Sequence, residues 1–594
     1  MMLQALIAYA ERENLGDPDF EPADVQWVIQ LTKRGRRAGP PLDLRKSPKR
    51  ILIPTLEQKL LTDARRPRAR FLCDSLERSV GFAEATKPER VARVAGSLRF
   101  FKDLLQQCRD ACPAEAATLD AVLRFLNDDE AREALHAELA AAKAKPNELA
   151  TFTVDGTWLV ELGRIRGFWR SWRQKQKPTS ALPKRLCFAT GKLAEPVDTT
   201  GVIKGIPGGN PSGTIFLCFD KDAFCSYGLE QAQNAALSAP AELKIRAALT
   251  ALIEQSRAQK LIFNDTICLH WTRQRVEFDP VDTLASANPE EVAQLLKSVE
   301  TGRQVTGLEP NAYYAVSLSG NGARIVVRDW IESTVPEVER HIARWFQQLT
   351  IVEPGGAAVK REFALGELLR ALANPKLEKP FEALPHGAAE SLLHAALTGG
   401  PIPQAILMAA LRRETVDRVS GGEKPGRRRP FLPARFALIK LCLLRSPNRK
   451  EHHTMTEKLD PNSKDVAYLC GQLFAVLGRL QLLALGKVGA SIAERTYGGV
   501  ATRPATTLGP LFTKVPAYLK KANERFPGAG TNKQKEIEAL CQRIEALGGF
   551  PQTLGLEEQG RFALGYYCQL AEYRARSEER ELEERAEQLS EETV

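Results

Sequence analysis

The sequence predicts an α+β N-terminal region, a mixed sheet with helices and a protruding Gly-rich loop, followed by an all-α C-terminal helical bundle. Two observations carry this reading. Up to about residue 335, short apolar runs are cut by Gly, Pro and Asn, the texture of strands and turns. Beyond it, apolar residues recur at spacings of 3 and 4, the period of a helix with one buried face.

Taken in order, MMLQALIAYAEREN opens an amphipathic helix. Val25–Leu31 and Arg50–Pro54 read as strands around a basic, Pro-rich stretch. Residues 71–180 read as helices: FLCDSLERSVGFAE, RVARVAGSLRFFKDLLQQC and the Ala-rich run at 130–145. Cys187–Gly191 reads as a strand entering a turn, and Thr214–Phe219 as a buried strand. Leu243–Gln255 follows as a helix and Leu261–Trp271 as a strand. Tyr313–Leu318 and Ala323–Trp330 flank Ser319-Gly320-Asn321-Gly322, which predicts a β-hairpin. Helices then run to the C-terminus, with breaks at 353–360, 396–404, 419–431 and 446–465. Asp460-Pro461-Asn462-Ser463 is turn and capping chemistry. Val466, Leu469, Cys470, Leu473, Phe474, Leu477 and Leu480 then line one helical face. Tyr497-Gly498-Gly499 reads as a turn before another amphipathic segment. The Glu- and Arg-rich last twenty residues form a solvated helix or a frayed tail.

The chain of 594 residues has room for two to four domains. Its 83 basic against 73 acidic side chains give a net charge of +10, which suits a polyanionic partner. The 11 cysteines include no C-x-x-C pair, so reduced, buried thiols are expected rather than a zinc site. The N-terminus lacks the basic start and apolar core of a signal peptide. No window is expected to reach the roughly 18 apolar residues of a membrane span. The cytoplasm is the expected location, with no membrane partner.

A search for catalytic chemistry finds little. His136, His270, His341, His386, His394, His452 and His453 fall in no zinc-binding or nucleophile-activating pattern. No metal-phosphohydrolase H-D pair occurs and no Gly-rich loop ends in G-K-[ST]. The expectation is a binding protein, not an enzyme, with no cofactor and no metal.

Three kinds of segment suit binding. The loop Lys204-Gly205-Ile206-Pro207-Gly208-Gly209-Asn210-Pro211-Ser212-Gly213 carries glycines that let backbone approach a ligand closely, with Lys204, Asn210 and Ser212 as polar groups. An Asn amide matches a base edge or fills a minor groove; a plain tight turn accounts for the composition equally. Basic clusters at Lys33–Arg37 and Arg45–Arg50 offer Arg34, Arg36, Arg37 and Lys49 as phosphate contacts. RIRGFWRSWRQKQK, from Arg164 to Lys177, offers Arg164, Arg166, Arg170 and Arg173; its Trp169 and Trp172 either stack on bases or face the core. Arg427 and Arg428 lie in a Gly/Pro-rich loop, KPGRRR.

Several of these segments, in the same order, resemble the large subunit of the type I-C CRISPR Cascade complex (the Cas-eight-c family). They are the opening MLQALIAYAER, FLCDSLERSVG, the run from CFATGK through IKGIPGGNPSGTIFLCFDKDAFCSYG to QNA, YYAVSLSGNGARIVVRDW, RFALIKLCLLR, and the stretch Met455–Leu511. The resemblance implies a subunit of a crRNA-guided complex that recognises the protospacer-adjacent motif (PAM) in double-stranded DNA, helps unwind it for R-loop formation, and offers a docking face to a helicase–nuclease. The alternative is a structural scaffold that binds crRNA and partner proteins without reading the PAM. Implied partners are the crRNA-containing Cascade subunits (backbone, crRNA-processing and small helical subunits), target duplex DNA, and the recruited helicase–nuclease. By the same resemblance Asn210, where relatives carry Gln, touches the PAM or wedges at the first opened pair, with Gly208, Gly209 and Ser212 around it. Lys204 becomes a phosphate contact. Ser75 stands where the family's FL-x-DN segment has Asn, which puts a second contact in doubt. Pro207 and Pro211 stiffen the loop relative to the family pattern. The expected division is 1–335 (PAM-reading), 336–454 (helical connection) and 455–594 (a bundle resembling the Cascade small subunit). By the same resemblance Met455 is the expected internal start from which that bundle would be made separately, with Met408 the other internal methionine.

Overall fold

The structure, a computed structural model, describes residues 2–55, 68–83, 88–176, 184–197, 199–217, 219, 221–225, 227–229, 231–258, 262–263, 266–276, 279–300, 311–374, 377–419, 432–447, 455–486, 488 and 490–591. Contacts divide the chain into two compact units, 1–203 with 215–251, and 204–214 with 252–594.

The first unit is built on a mixed sheet. Trp27–Leu31 runs parallel to Leu149–Val154, with Leu42–Asp43 and Cys73–Ser75 on the outer sides. Phe20–Val25 pairs separately with Lys49–Pro54. Helices Pro88–Ala111, Ala116–Asn127, Asp129–Ala141 and Gly163–Gln176 belong to the same unit. Trp27, Phe71, Phe101, Phe125, Phe152 and Trp169 fill its core, each at most 1% exposed. Two differences from the sequence reading fall here. Leu149–Val154 is a strand inside a stretch read as helical, because its Thr, Phe and Val suit a pleated, buried surface and its partner lies more than a hundred residues away. FLCDSLERSVG is a three-residue strand and a single helical turn, not a continuous helix.

In the second unit, Ala312–Asn321 and Arg324–Thr334 form the expected hairpin, longer than the sequence suggested, and Thr266–Thr272 pairs with its inner strand. Trp271, Tyr314 and Trp330 cluster across these strands, Tyr314 stacked on Trp330 at 5.7 Å. Val335–Leu349 starts where Glu337 accepts the Thr334 amide at 3.3 Å, half of a capping box. From here helices dominate, apart from the short pair Ile351–Val352 and Val359–Lys360. The core around helix Val335–Leu349 extends back to Cys268 on the sheet and forward to Ala571.

The helix that follows the Asp460–Ser463 turn starts at Val466. Asp465 caps it by accepting the Tyr468 amide at 2.8 Å, while Asp460 closes the preceding turn on the Asn462 amide. Val466–Leu485 is long and apolar enough to cross a membrane by length and composition, contrary to the expectation that no window would be; 67% of that window is buried within the protein. Its crossing with Leu556–Glu591 is backbone on backbone. A Cβ on Gly471 would collide with the Phe562 carbonyl, and one on Gly565 with the Tyr468 carbonyl. Gly498 and Gly499, read as a turn, lie inside helix Ile492–Thr502. Thr415 and Thr507 methyls press close on them, so small residues there serve packing, and the chain breaks later, at Arg503-Pro504.

Candidate nucleic-acid interface

The Gly-rich loop and the hairpin tip belong to the same unit and dock on each other. The Gly320 amide donates to the Pro207 carbonyl at 2.7 Å, and the Asn210 amide donates to the Gly322 carbonyl at 3.0 Å. Gly209 and Gly322 form a parallel bridge between these two bonds. The loop closes on itself through Gly209 to the Ile206 carbonyl and Gly213 to the Asn210 carbonyl.

Glycine is required by space as much as by torsion. Gly208 has φ +72°, and a Cβ there would lie 3.0 Å from the Gly320 carbonyl oxygen. A Cβ on Gly320 would fall well inside 3.0 Å of the Gly209 backbone, and one on Gly209 would strike the Thr214 methyl. Side chains in this crossing would therefore separate the two turns. The loop is thus a braced element rather than a free turn: four intramolecular backbone bonds fix it, while Lys204, Gly208, Asn210, Pro211 and Ser212 face outward, exposed. Ile206, in the same loop, is 6% exposed.

The hairpin below the tip is braced as well. Ser319 is fully buried, and its hydroxyl accepts from Arg328 Nε at 2.7 Å. The register slips between Ser317 and Leu318, a bulge that raises local twist near the tip. Asn321, Gly322 and Ala323 are exposed there. The sequence showed two Gly-rich turns containing Asn; it did not show that they meet, because that contact joins residues more than a hundred positions apart.

The remaining expected contacts are dispersed. Ser75 lies in the first unit, 8% exposed, where its amide donates to Asp74 at 2.7 Å and its carbonyl accepts from the Ser79 hydroxyl. That places it at a helix start inside the core rather than on a surface. Arg37 is a bidentate partner of Glu138, at 2.7 and 2.8 Å, and its guanidinium holds the Glu138 carboxyl below the usual carboxylate range. Arg166 donates to the Val160 carbonyl, and Arg173 to the Thr55 carbonyl. Arg170 pairs with Asp17 at 2.7 Å, and Lys49 sits 3.7 Å over the Trp158 ring. These five cations already satisfy internal partners. Arg34, Arg36 and Arg164 are exposed, with no side-chain partner among the described residues. Arg427 and Arg428 lie outside the described residues.

The tryptophans of the Arg164 segment resolve toward packing. Trp169 is fully buried, donates to the Asp19 carbonyl and stacks on Trp172 at 5.0 Å, with planes 10° apart. The cysteines among the described residues are free, and burial pushes the thiols of Cys268 and Cys442 up to about 12. Among the described residues no group of three or more His, Cys, Asp or Glu side chains is arranged to hold a metal ion.

What the loop and hairpin tip can do chemically is present a narrow, polar, preorganised edge: an Asn amide, a Ser hydroxyl and a Lys ammonium on a stiff backbone. A family model described as "CRISPR-associated protein (Cas_Csd1)" matches residues 6–574. No curated protein matches the chain.

Proposed function

Because the chain belongs to the CRISPR-associated protein (Cas_Csd1) family, we propose that it is the large subunit of a type I-C crRNA-guided surveillance complex and that its braced Gly-rich loop reads the PAM in duplex DNA. The observation that carries this reading is the clamp between Pro207–Asn210 and Gly320–Gly322, which holds Asn210 outward on fixed backbone. Fixed donors and acceptors lose little entropy on binding, so such an edge suits a groove. Lys204 supplies a cation beside it for a phosphate. The guide RNA would read the rest of the target by pairing, as in other RNA-guided systems.

On this reading the protein also helps open the duplex next to the motif and offers the docking face for a helicase–nuclease. It is a binding subunit rather than an enzyme, needs no cofactor, and acts in the cytoplasm with the crRNA-containing subunits. Residues 455–594 would line the complex as a helical bundle, made also as a separate product from Met455.

A photo-crosslinking amino acid at position 212, in the assembled complex, tests the loop's role. Crosslinks to the motif strand of bound duplex are expected. Crosslinks confined to crRNA or protein would favour the scaffold reading.

A further inference from the structure

We propose that Asn321, at the tip of the hairpin, is a second sequence-reading side chain, held on the same face as Asn210 by the glycine clamp and reading a second base pair of the motif. The proposal rests on the reading of the loop given above. Asn210 and Asn321 are both exposed, and neither side-chain amide is engaged by another described residue. Each adjoins a member of the Gly209–Gly322 bridge, and the Asn210 amide is bonded to the residue after Asn321.

Bridged backbones run about 4.8 Å apart, and base pairs along a strand are about 3.4 Å apart. Asn210 follows Gly209 while Asn321 precedes Gly322, so across this parallel bridge the two asparagines are diagonal neighbours on one face, about 7–8 Å apart, and reach base pairs about two steps apart without either backbone moving. Both are asparagines, whose amide donates and accepts at once and so matches the N6 and N7 edge of adenine. Around Asn321 nothing bulky intervenes: Gly320, Gly322 and Ala323 flank it, and a Cβ on Gly322 would meet open space. Arg324, the Cα partner of Asn321 across the hairpin, puts a cation at the same level. Below, Arg328 to Ser319 and Gly320 to Pro207 hold the tip still.

The test uses the assembled crRNA-bound complex and a duplex library randomised at the motif positions beside a guide-matched sequence. Asn321→Ala, an exposed change outside the clamp, is expected to lose about tenfold discrimination at one motif position. Asn210→Ala is expected to lose it at a different motif position, and both variants should bind scrambled-motif duplex as the wild type does. An unchanged profile for Asn321→Ala, with preference lost for Asn210→Ala, overturns this inference alone. Unchanged profiles for both overturn the loop's role as well. Equal weakening of every duplex by Asn321→Ala also overturns the inference, since it marks a contact that carries no sequence information.

Discussion

Gly320 and Gly209 cross so closely that a Cβ on the first would lie well inside 3.0 Å of the backbone of the second. Two turns distant in sequence are joined there by the Gly320–Pro207 and Asn210–Gly322 hydrogen bonds. Gly320→Ala should push the turns apart and break both bonds. Hydrogen exchange should then show faster exchange at the amides of residues 210 and 320, with the helical core unchanged. Protection equal to wild type at both amides would mean the clamp tolerates a side chain.

The helix crossing at Gly471 and Gly565 predicts a change opposite in sign to ordinary helix propensity. Gly→Ala on an open helix face stabilises by about 1 kcal/mol. Gly565→Ala should instead destabilise by about 1–3 kcal/mol, because its methyl would meet the Tyr468 carbonyl. Chemical denaturation followed by circular dichroism measures the difference, and a gain in stability would contradict the crossing.

His394 Nδ1 lies 2.7 Å from Asp329 Oδ2, and this hydrogen bond raises the imidazole above its ordinary value of 6.5. A His raised on folding adds stability that is fully present below its unfolded value and lost as pH rises through the folded one. The stability difference between wild type and His394→Ala should therefore be largest below about pH 6.5 and shrink as pH rises above it. Thermal melts across these pH values read it; a difference that widens with pH would contradict the pairing.

The architecture was legible where a signal is local. The hairpin at 312–334 was marked by Gly and Asn between alternating apolar runs, and the all-helical C-terminal region by its 3-and-4 spacing. The strand Leu149–Val154 was not, because its parallel partner Trp27–Leu31 is remote and short apolar runs look alike in strands and helices. Gly498-Gly499 misled for a related reason: glycine signals either a turn or a close approach, and only the neighbours, Thr415 and Thr507, decide. In the candidate site, the exposed polar tip of the loop was readable from composition. Its bracing by Gly320 and Gly322, and the internal pairing of Arg37, Arg166, Arg170 and Arg173, depend on three-dimensional neighbours that composition does not encode.

The central claim is that the loop carrying Asn210 reads duplex DNA. Its most direct test compares equilibrium binding of motif-bearing and motif-scrambled duplexes by complexes assembled with wild-type chain or with Asn210→Ala. The account predicts that the variant assembles normally and loses about tenfold or more of its affinity for the motif-bearing duplex, with binding of the scrambled duplex unchanged. Equal affinities of wild type and Asn210→Ala for the motif-bearing duplex would contradict it.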